Sequence, residues 1–159
     1  MSRKHLTKHS PSQFKIGKHV RAGKGKAVQV GALCTRKVHG KRQVLLITSR
    51  GTRRWIIPKG WQMAGISNGE AAAIEAWEEA GVAEAKISKK PFGKYTYDKD
   101  LDNGVEVPVK VKVYKLKVRK MKRNFPERHE RRQMWVSPKR AAKLVREPKL
   151  KKLLLKLQK

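Results

Sequence analysis

Acidic residues are missing from the first 69 positions of this 159-residue chain, and overall 12 Asp and Glu face 41 Lys and Arg, a net charge of +29. Such an imbalance points to polyanionic partners: nucleic acid, phosphorylated metabolites or an anionic membrane surface. Cysteine is nearly absent. The lone Cys34 excludes an internal disulfide framework and fits a reducing, cytoplasmic compartment. It lies in the apolar run "VQVGALC", where a buried strand residue is expected rather than a catalytic thiol. Nothing approaches the roughly 20 consecutive apolar residues that span a bilayer. The basic N-terminus lacks the apolar segment of a secretory signal. Aromatics are only 6% of residues and form no interleaved RNA-recognition motif. No internal repeat is visible.

What remains is one domain's worth of chain with clear hydrophobic patterning behind a basic leader. Residues 1–26 hold eight Lys and Arg and three His with almost no apolar periodicity. We expect residues 1–25 to be a largely flexible basic arm, ordering near Val20, and 26–159 to be a single domain. "AVQVGALCT", "RQVLLIT" and the short "WII" before Pro58 read as strands. "NGEAAAIEAWEEA" predicts a helix over 68–80, stopped by Gly81. "PFGKYTYD" and "GVEVPVKVKVYKLKV" predict a hairpin whose second arm alternates from Val105 to Val113. "RRQMWVS" is a last strand, Ser137 and Pro138 open a helix over 138–147, and Pro148 starts another. In that last helix Leu150, Leu153, Leu154 and Leu157 share one face, which is expected to pack on its own domain rather than on a membrane. This order of elements predicts an α/β sandwich around a mixed sheet.

The scarce acids are not scattered. Glu70, Glu75, Glu78 and Glu79 fall within ten residues, and no Lys or Arg lies between Gly60 and Val82. Glu75, Glu78 and Glu79 occupy an arc of about 100° on a helical wheel. Ala73, Ile74, Trp77 and Ala80 form the opposite, apolar face. Clustered like charges repel. Three glutamates alone fit either a solvated acidic face or a hard divalent cation, which takes carboxylate oxygens, waters and substrate phosphates. The cationic surroundings and the preceding "PKGW" turn favour the cation.

The segment from Gly60 to Val82 resembles the Nudix hydrolase box, G-x5-E-x7-R-E-U-x-E-E-x-G-U. Gly60, Glu75, Glu78, Glu79, Gly81 and Val82 stand in register with it. Ile66 replaces the early glutamate, Ile74 replaces the arginine, and Ala76 is smaller than the usual aliphatic. The stretches "GALCTRKVHGKRQVLLITSRGTRRWIIPKGW" and "RRQMWVSPKRAAKLV" are similar to the branch of diphosphoinositol polyphosphate phosphohydrolases and diadenosine polyphosphate hydrolases. The resemblance implies the Nudix α/β/α sandwich and hydrolysis of a diphosphate linkage in a polyphosphorylated small molecule.

By the same resemblance Glu75, Glu78 and Glu79 are the catalytic and metal-binding residues, holding Mg²⁺ or Mn²⁺ that activates a water. Glu127 and Glu130 in "FPERHERR" are candidates for a loop acid that takes its proton. Arg50 and Arg54 match basic positions flanking the site, and Lys59 and Gly60 sit in the turn where a cation reaches phosphate. Glu70, one turn before Ile74, is a candidate substitute for the early glutamate. Trp61 is placed to stack on a base or ring. Two further readings stay open. One is an enzyme acting on RNA 5′ ends, with the basic arm as its nucleic-acid handle. The other is a non-enzymatic nucleic-acid-binding protein with a decayed box.

Overall fold

The computed structural model describes residues 3–5, 27–101 and 103–157. Its elements, in chain order, are β1 (Arg3–His5), β2 (Ala27–Val38), β3 (Lys41–Thr48), β4 (Trp55–Ile56), β5 (Lys59–Trp61), α1 (Asn68–Ala80), β6 (Val82–Ile87), β7 (Gly93–Asp100), β8 (Glu106–Met121), β9 (Gln133–Val136), α2 (Pro138–Leu144) and α3 (Pro148–Lys156).

β2 and β8 run parallel at the centre, in register from Ala27↔Val109 to Thr35↔Lys117. Both are long enough to pair with different neighbours along their length. β5 and β3 share the free edge of β2, at Gln29–Gly31 and Thr35–Val38. β7 and β6 share that of β8, before and after Val113. β4 and β9 pair with β3, and β1 pairs with β6. All of these are antiparallel, so the nine-stranded sheet is mixed, as the sequence predicts.

Side chains on a strand alternate between faces, and the two faces carry separate cores. Val30, Ala32 and Cys34 of β2, with Leu45 and Ile47 of β3, pack under α1. Leu33 of β2, Val44 and Leu46 of β3, and Val109, Val111 and Val113 of β8 pack under α2 and α3. The leucine stripe of α3 is buried in this second core, so the helix is held by its own domain. Cys34 is fully buried, and burial pushes its thiol up to about 12.

Four local expectations are refined. β6 follows α1 directly, in a segment where the sequence signals no strand, and a fifth short strand forms inside the glycine turn. The valine alternation buries only Val109 to Val113, while Val105 is 50% exposed near the hairpin tip. α2 ends at Leu144 because Val145 is extended, and the chain restarts with Glu147 as the N-cap before Pro148. The expected flexible arm, and the ordering near Val20, lie outside the described residues except for Arg3–His5.

Candidate active site

α1 is built by strong local signals. The Ser67 hydroxyl accepts from the Glu70 N–H and donates to Glu70 Oε1, both at 3.2 Å, closing a capping box. Glu70 is committed to that cap and is not part of the cavity wall described below. At the other end Gly81 takes the left-handed conformation, φ 78°. There is no basic residue in the last turn; instead the segment after β8 satisfies the helix end. Gln133 Nε2 donates to the Ala80 carbonyl, Lys122 N–H to that of Gly81, and Glu127 N–H to that of Glu78.

The expected apolar face, including Ala73, Ile74 and Ala80, is buried in the core under α1. The glutamate face is buried too, with Glu75, Glu78 and Glu79 only 1%, 3% and 6% exposed. β5 passes so close to it that a Cβ on Gly60 would overlap the Glu75 carboxylate. Glu75 and Glu79 lie one turn apart on α1 with their carboxyls close enough for Glu75 to pull the Glu79 pKa down. Glu79 also accepts the Lys59 N–H at 3.2 Å and lies 3.6 Å from Arg131 Nη2. Burial pushes the Glu79 carboxyl above its ordinary pKa, against the pull of Arg131, Lys59 and Glu75. Two buried carboxyls this close need a shared proton or a cation between them.

These two carboxylates open into a cavity of about 480 Å³, whose wall contains all four expected binding residues, Arg50, Arg54, Lys59 and Gly60. Glu78 is buried on the same helix but is not part of that wall. Arg54 Nη1 is fixed 2.7 Å from the buried Glu147 at the start of α3. Arg50 reaches Glu130 at 3.0 Å and Glu127 at 4.0 Å. Of the two loop acids, Glu127 lines the cavity and Glu130 does not. The Lys59 ammonium sits 4.8 Å over the Tyr97 ring, and burial lowers its pKa to about 8, opposed by the attraction of Glu79. Trp61 lines the same wall.

Sequence reasoning missed several contributors. Asp98, Asp100 and Glu106 of the β7–β8 hairpin reach the cavity. The hydrogen bond and repulsion from Asp100 raise the Glu106 carboxyl. Only the hairpin register, Asp100 opposite Glu106, brings them together. Arg131 is the other omission. Only 6% of its side chain is exposed, its Nε and Nη2 donate to Glu127 at 2.9 and 2.8 Å, and its Nη1 donates to the Thr48 carbonyl at 3.0 Å. Among the described residues, no three His, Cys, Asp or Glu side chains converge into a metal cage, and no helix is long and apolar enough to cross a membrane.

Comparison with known proteins gives a consistent answer at the level of fold. No family model matches the chain, and neither does any curated protein. Solved structures do. A binary complex of C. elegans Ap4A hydrolase superposes with a TM-score of 0.61 at 25% identity, over 82% of this chain and 93% of that one. The same enzyme in another crystal structure gives 0.60 at 24%, over 84% and 96%. A Nudix hydrolase from Nitrosomonas europaea gives 0.58 at 19%, over 84% and 88%. The fold is that of the Nudix hydrolases.

The resemblance read in the box is thereby borne out, and its departures acquire a structural account. Ile74, at the position of the Nudix arginine, is 4% exposed and packs in the core under α1. Ile66, at the position of the early glutamate, packs against the same core. Arg131 places a guanidinium 3.6 Å from Glu79, carried in by the segment strapped to the end of α1.

Proposed function

We propose that this chain is a Mg²⁺- or Mn²⁺-dependent diphosphohydrolase that cleaves a phosphorus anhydride in a polyphosphorylated small molecule of the diadenosine polyphosphate or diphosphoinositol polyphosphate type. One observation carries the reading: buried Glu75 and Glu79 share a cavity with Arg50, Arg54, Lys59 and Arg131. Two buried acids one turn apart suit a hard cation, and the surrounding bases suit phosphates. The similarity to Ap4A hydrolase points the same way.

Glu75 and Glu79 are the protein oxygens that would hold the cation, with Glu78 beside them on the helix. When bound, the metal neutralises diphosphate charge and acidifies an attacking water. Lys59 and Arg50, in the wall of the same cavity, orient the phosphate chain. Arg54, pinned by Glu147, offers a pre-set cation at low entropic cost. Glu127, held by its two hydrogen bonds from Arg131, takes the water's proton. Trp61 lines the same cavity and offers its ring for stacking on a base or ring of the leaving group. A cytoplasmic setting agrees with the single buried thiol.

The test is a product-resolved hydrolysis screen with Mg²⁺ and Mn²⁺ over dinucleoside polyphosphates, diphosphoinositol polyphosphates, nucleoside triphosphates and 5′-triphosphorylated RNA. Metal-dependent cleavage that improves with the number of adjoining phosphates is expected. Preferential release of pyrophosphate from the RNA would reassign the substrate, and no metal-dependent hydrolysis of any compound would refute the enzyme.

A further inference from the structure

A second cavity of about 280 Å³ shares no residue with the first. Along β2 the candidate active site uses Gln29, whereas this cleft begins at Thr35, about 20 Å further at the rise of an extended strand. Six cations line it, Arg36, Lys37, Arg42, Lys86, Lys115 and Lys117, and no carboxylate does. Among the described residues none of the six makes an ion pair with an acid, whereas Arg50, Arg54 and Arg131 at the candidate active site each do.

The sheet dictates this cluster. Lys86 of β6 is the cross-strand partner of Lys117 of β8, which is in turn the partner of Thr35 of β2. Directly paired residues project from the same face. Lys115 and Lys37 follow two positions along on their strands, so they share that face. It is the face buried further back under α3, and Leu157, just past α3, forms the edge of the cleft. One wall is fixed: Arg42, the cross-strand partner of Lys37, donates from Nη1 to the Leu157 carbonyl at 3.0 Å. Arg36 alternates to the opposite face, where its guanidinium lies 4.2 Å over Trp135. A neighbouring cavity of about 520 Å³ shares Lys37, Arg42 and Leu157 and adds Lys41, which lengthens the trough. At the sheet edge the backbone of β1 places Arg3 opposite Lys86 in register.

We propose that this trough binds the sugar–phosphate backbone of a single-stranded nucleic acid, at a site separate from the hydrolytic cavity. Lys86 and Lys117 are direct cross-strand partners about 4.8 Å apart at the backbone, and Lys115 and Lys37 lie two positions along on the same face, so the four ammonium groups can each meet a different phosphate of one chain. Without carboxylates the trough cannot hold a bare cation. A concave run of cations engages a narrow polyanion, whereas a planar membrane would touch only its rims. The only large apolar side chains exposed among the described residues are Val38, Val105 and Leu155, which form no insertion patch in the trough.

The experiment uses the full chain and a 15-nucleotide RNA with a 5′-hydroxyl, which offers the hydrolytic site no anhydride. Affinity is followed by fluorescence anisotropy across a salt series. The triple variant Lys37→Ala, Lys86→Ala, Lys117→Ala is compared with Lys143→Ala, Lys149→Ala, Lys152→Ala, which removes the same charge from the exposed faces of α2 and α3. Melting temperatures confirm that both remain folded. The trough variant should bind about tenfold more weakly and flatten the log–log salt slope by about 2, roughly 0.7 for each phosphate no longer neutralised. The control should bind no more than about threefold more weakly, its slope nearly unchanged. Equal weakening in the two variants would show diffuse attraction to a +29 protein and overturn the site. Undiminished RNA binding by the trough variant would overturn it as well. So would weakening confined to phosphatidylglycerol–phosphatidylcholine vesicles, with RNA unaffected.

Discussion

Ile74 and Arg131 are best understood together. An arginine at position 74 would have to emerge from a helix position buried in the core under α1, and Ile74 fills that seat with only 4% exposure. Arg131 reaches the carboxylates from the other side, 3.6 Å from Glu79 and clamped to Glu127 and Thr48. Ile74→Arg should therefore cost about 3 kcal/mol, the penalty of a charge forced into an apolar site, and should gain no activity because the glutamates already have their guanidinium. Thermal unfolding and Mg²⁺-dependent turnover of this variant check both halves; greater activity with unchanged melting would contradict the account. Arg131→Gln should lower kcat about 10- to 100-fold, as removal of an orienting outer partner does, with Arg131→Lys recovering only part because a point charge cannot hold three oxygens at once. A pure stability defect, with full activity in the folded fraction, would count against that positioning role.

At the scale of elements, α1 is a wedge fixed at both ends, and its C-terminal fixing also positions the segment bearing Glu127 and Arg131. Gly81 is the hinge pin, at φ 78° with the Lys122 carbonyl where a Cβ would go. Gly81→Ala should cost about 2 kcal/mol or more from the left-handed backbone and the overlap. It should lower kcat more than a distant substitution of equal cost, because displacing residue 122 shifts Arg131. Denaturant unfolding alongside turnover tests this; an unchanged kcat would detach the segment from the chemistry. α1 was legible in the sequence because its signals are local: a run of strong helix formers from Asn68 to Ala80, and Gly81 at its end; the Ser67–Glu70 cap emerged only from the structure. The valine alternation of β8 was legible for the same reason. β6 was not, since Ala83 and Ala85 have weak strand preference and its pairing depends on β8, well downstream in the chain. Glu75 and Glu79 could be singled out from helical spacing, whereas Asp98, Asp100, Glu106 and Arg131 join them only through long-range register.

Across the whole molecule the charges are sorted. Of the 12 acids, Glu75, Glu79, Asp98, Asp100, Glu106 and Glu127 line one cavity, and Glu130 and Glu147 bind its arginines. The far trough is left wholly basic. Such segregation leaves a strong positive field to draw polyanions while keeping at one place the oxygens that a divalent cation requires. The central claim is that this one place is the hydrolytic centre. The most direct test measures Mg²⁺-dependent hydrolysis of diadenosine tetraphosphate by the wild type and by Glu79→Gln, with melting temperatures recorded for both. The nearly isosteric amide removes one charge from a buried like-charged pair, so the fold should be as stable or slightly more so, while turnover should fall about a hundredfold or more, in line with removal of an electrostatic interaction made in the transition state. Wild-type turnover by a folded Glu79→Gln protein would contradict the account.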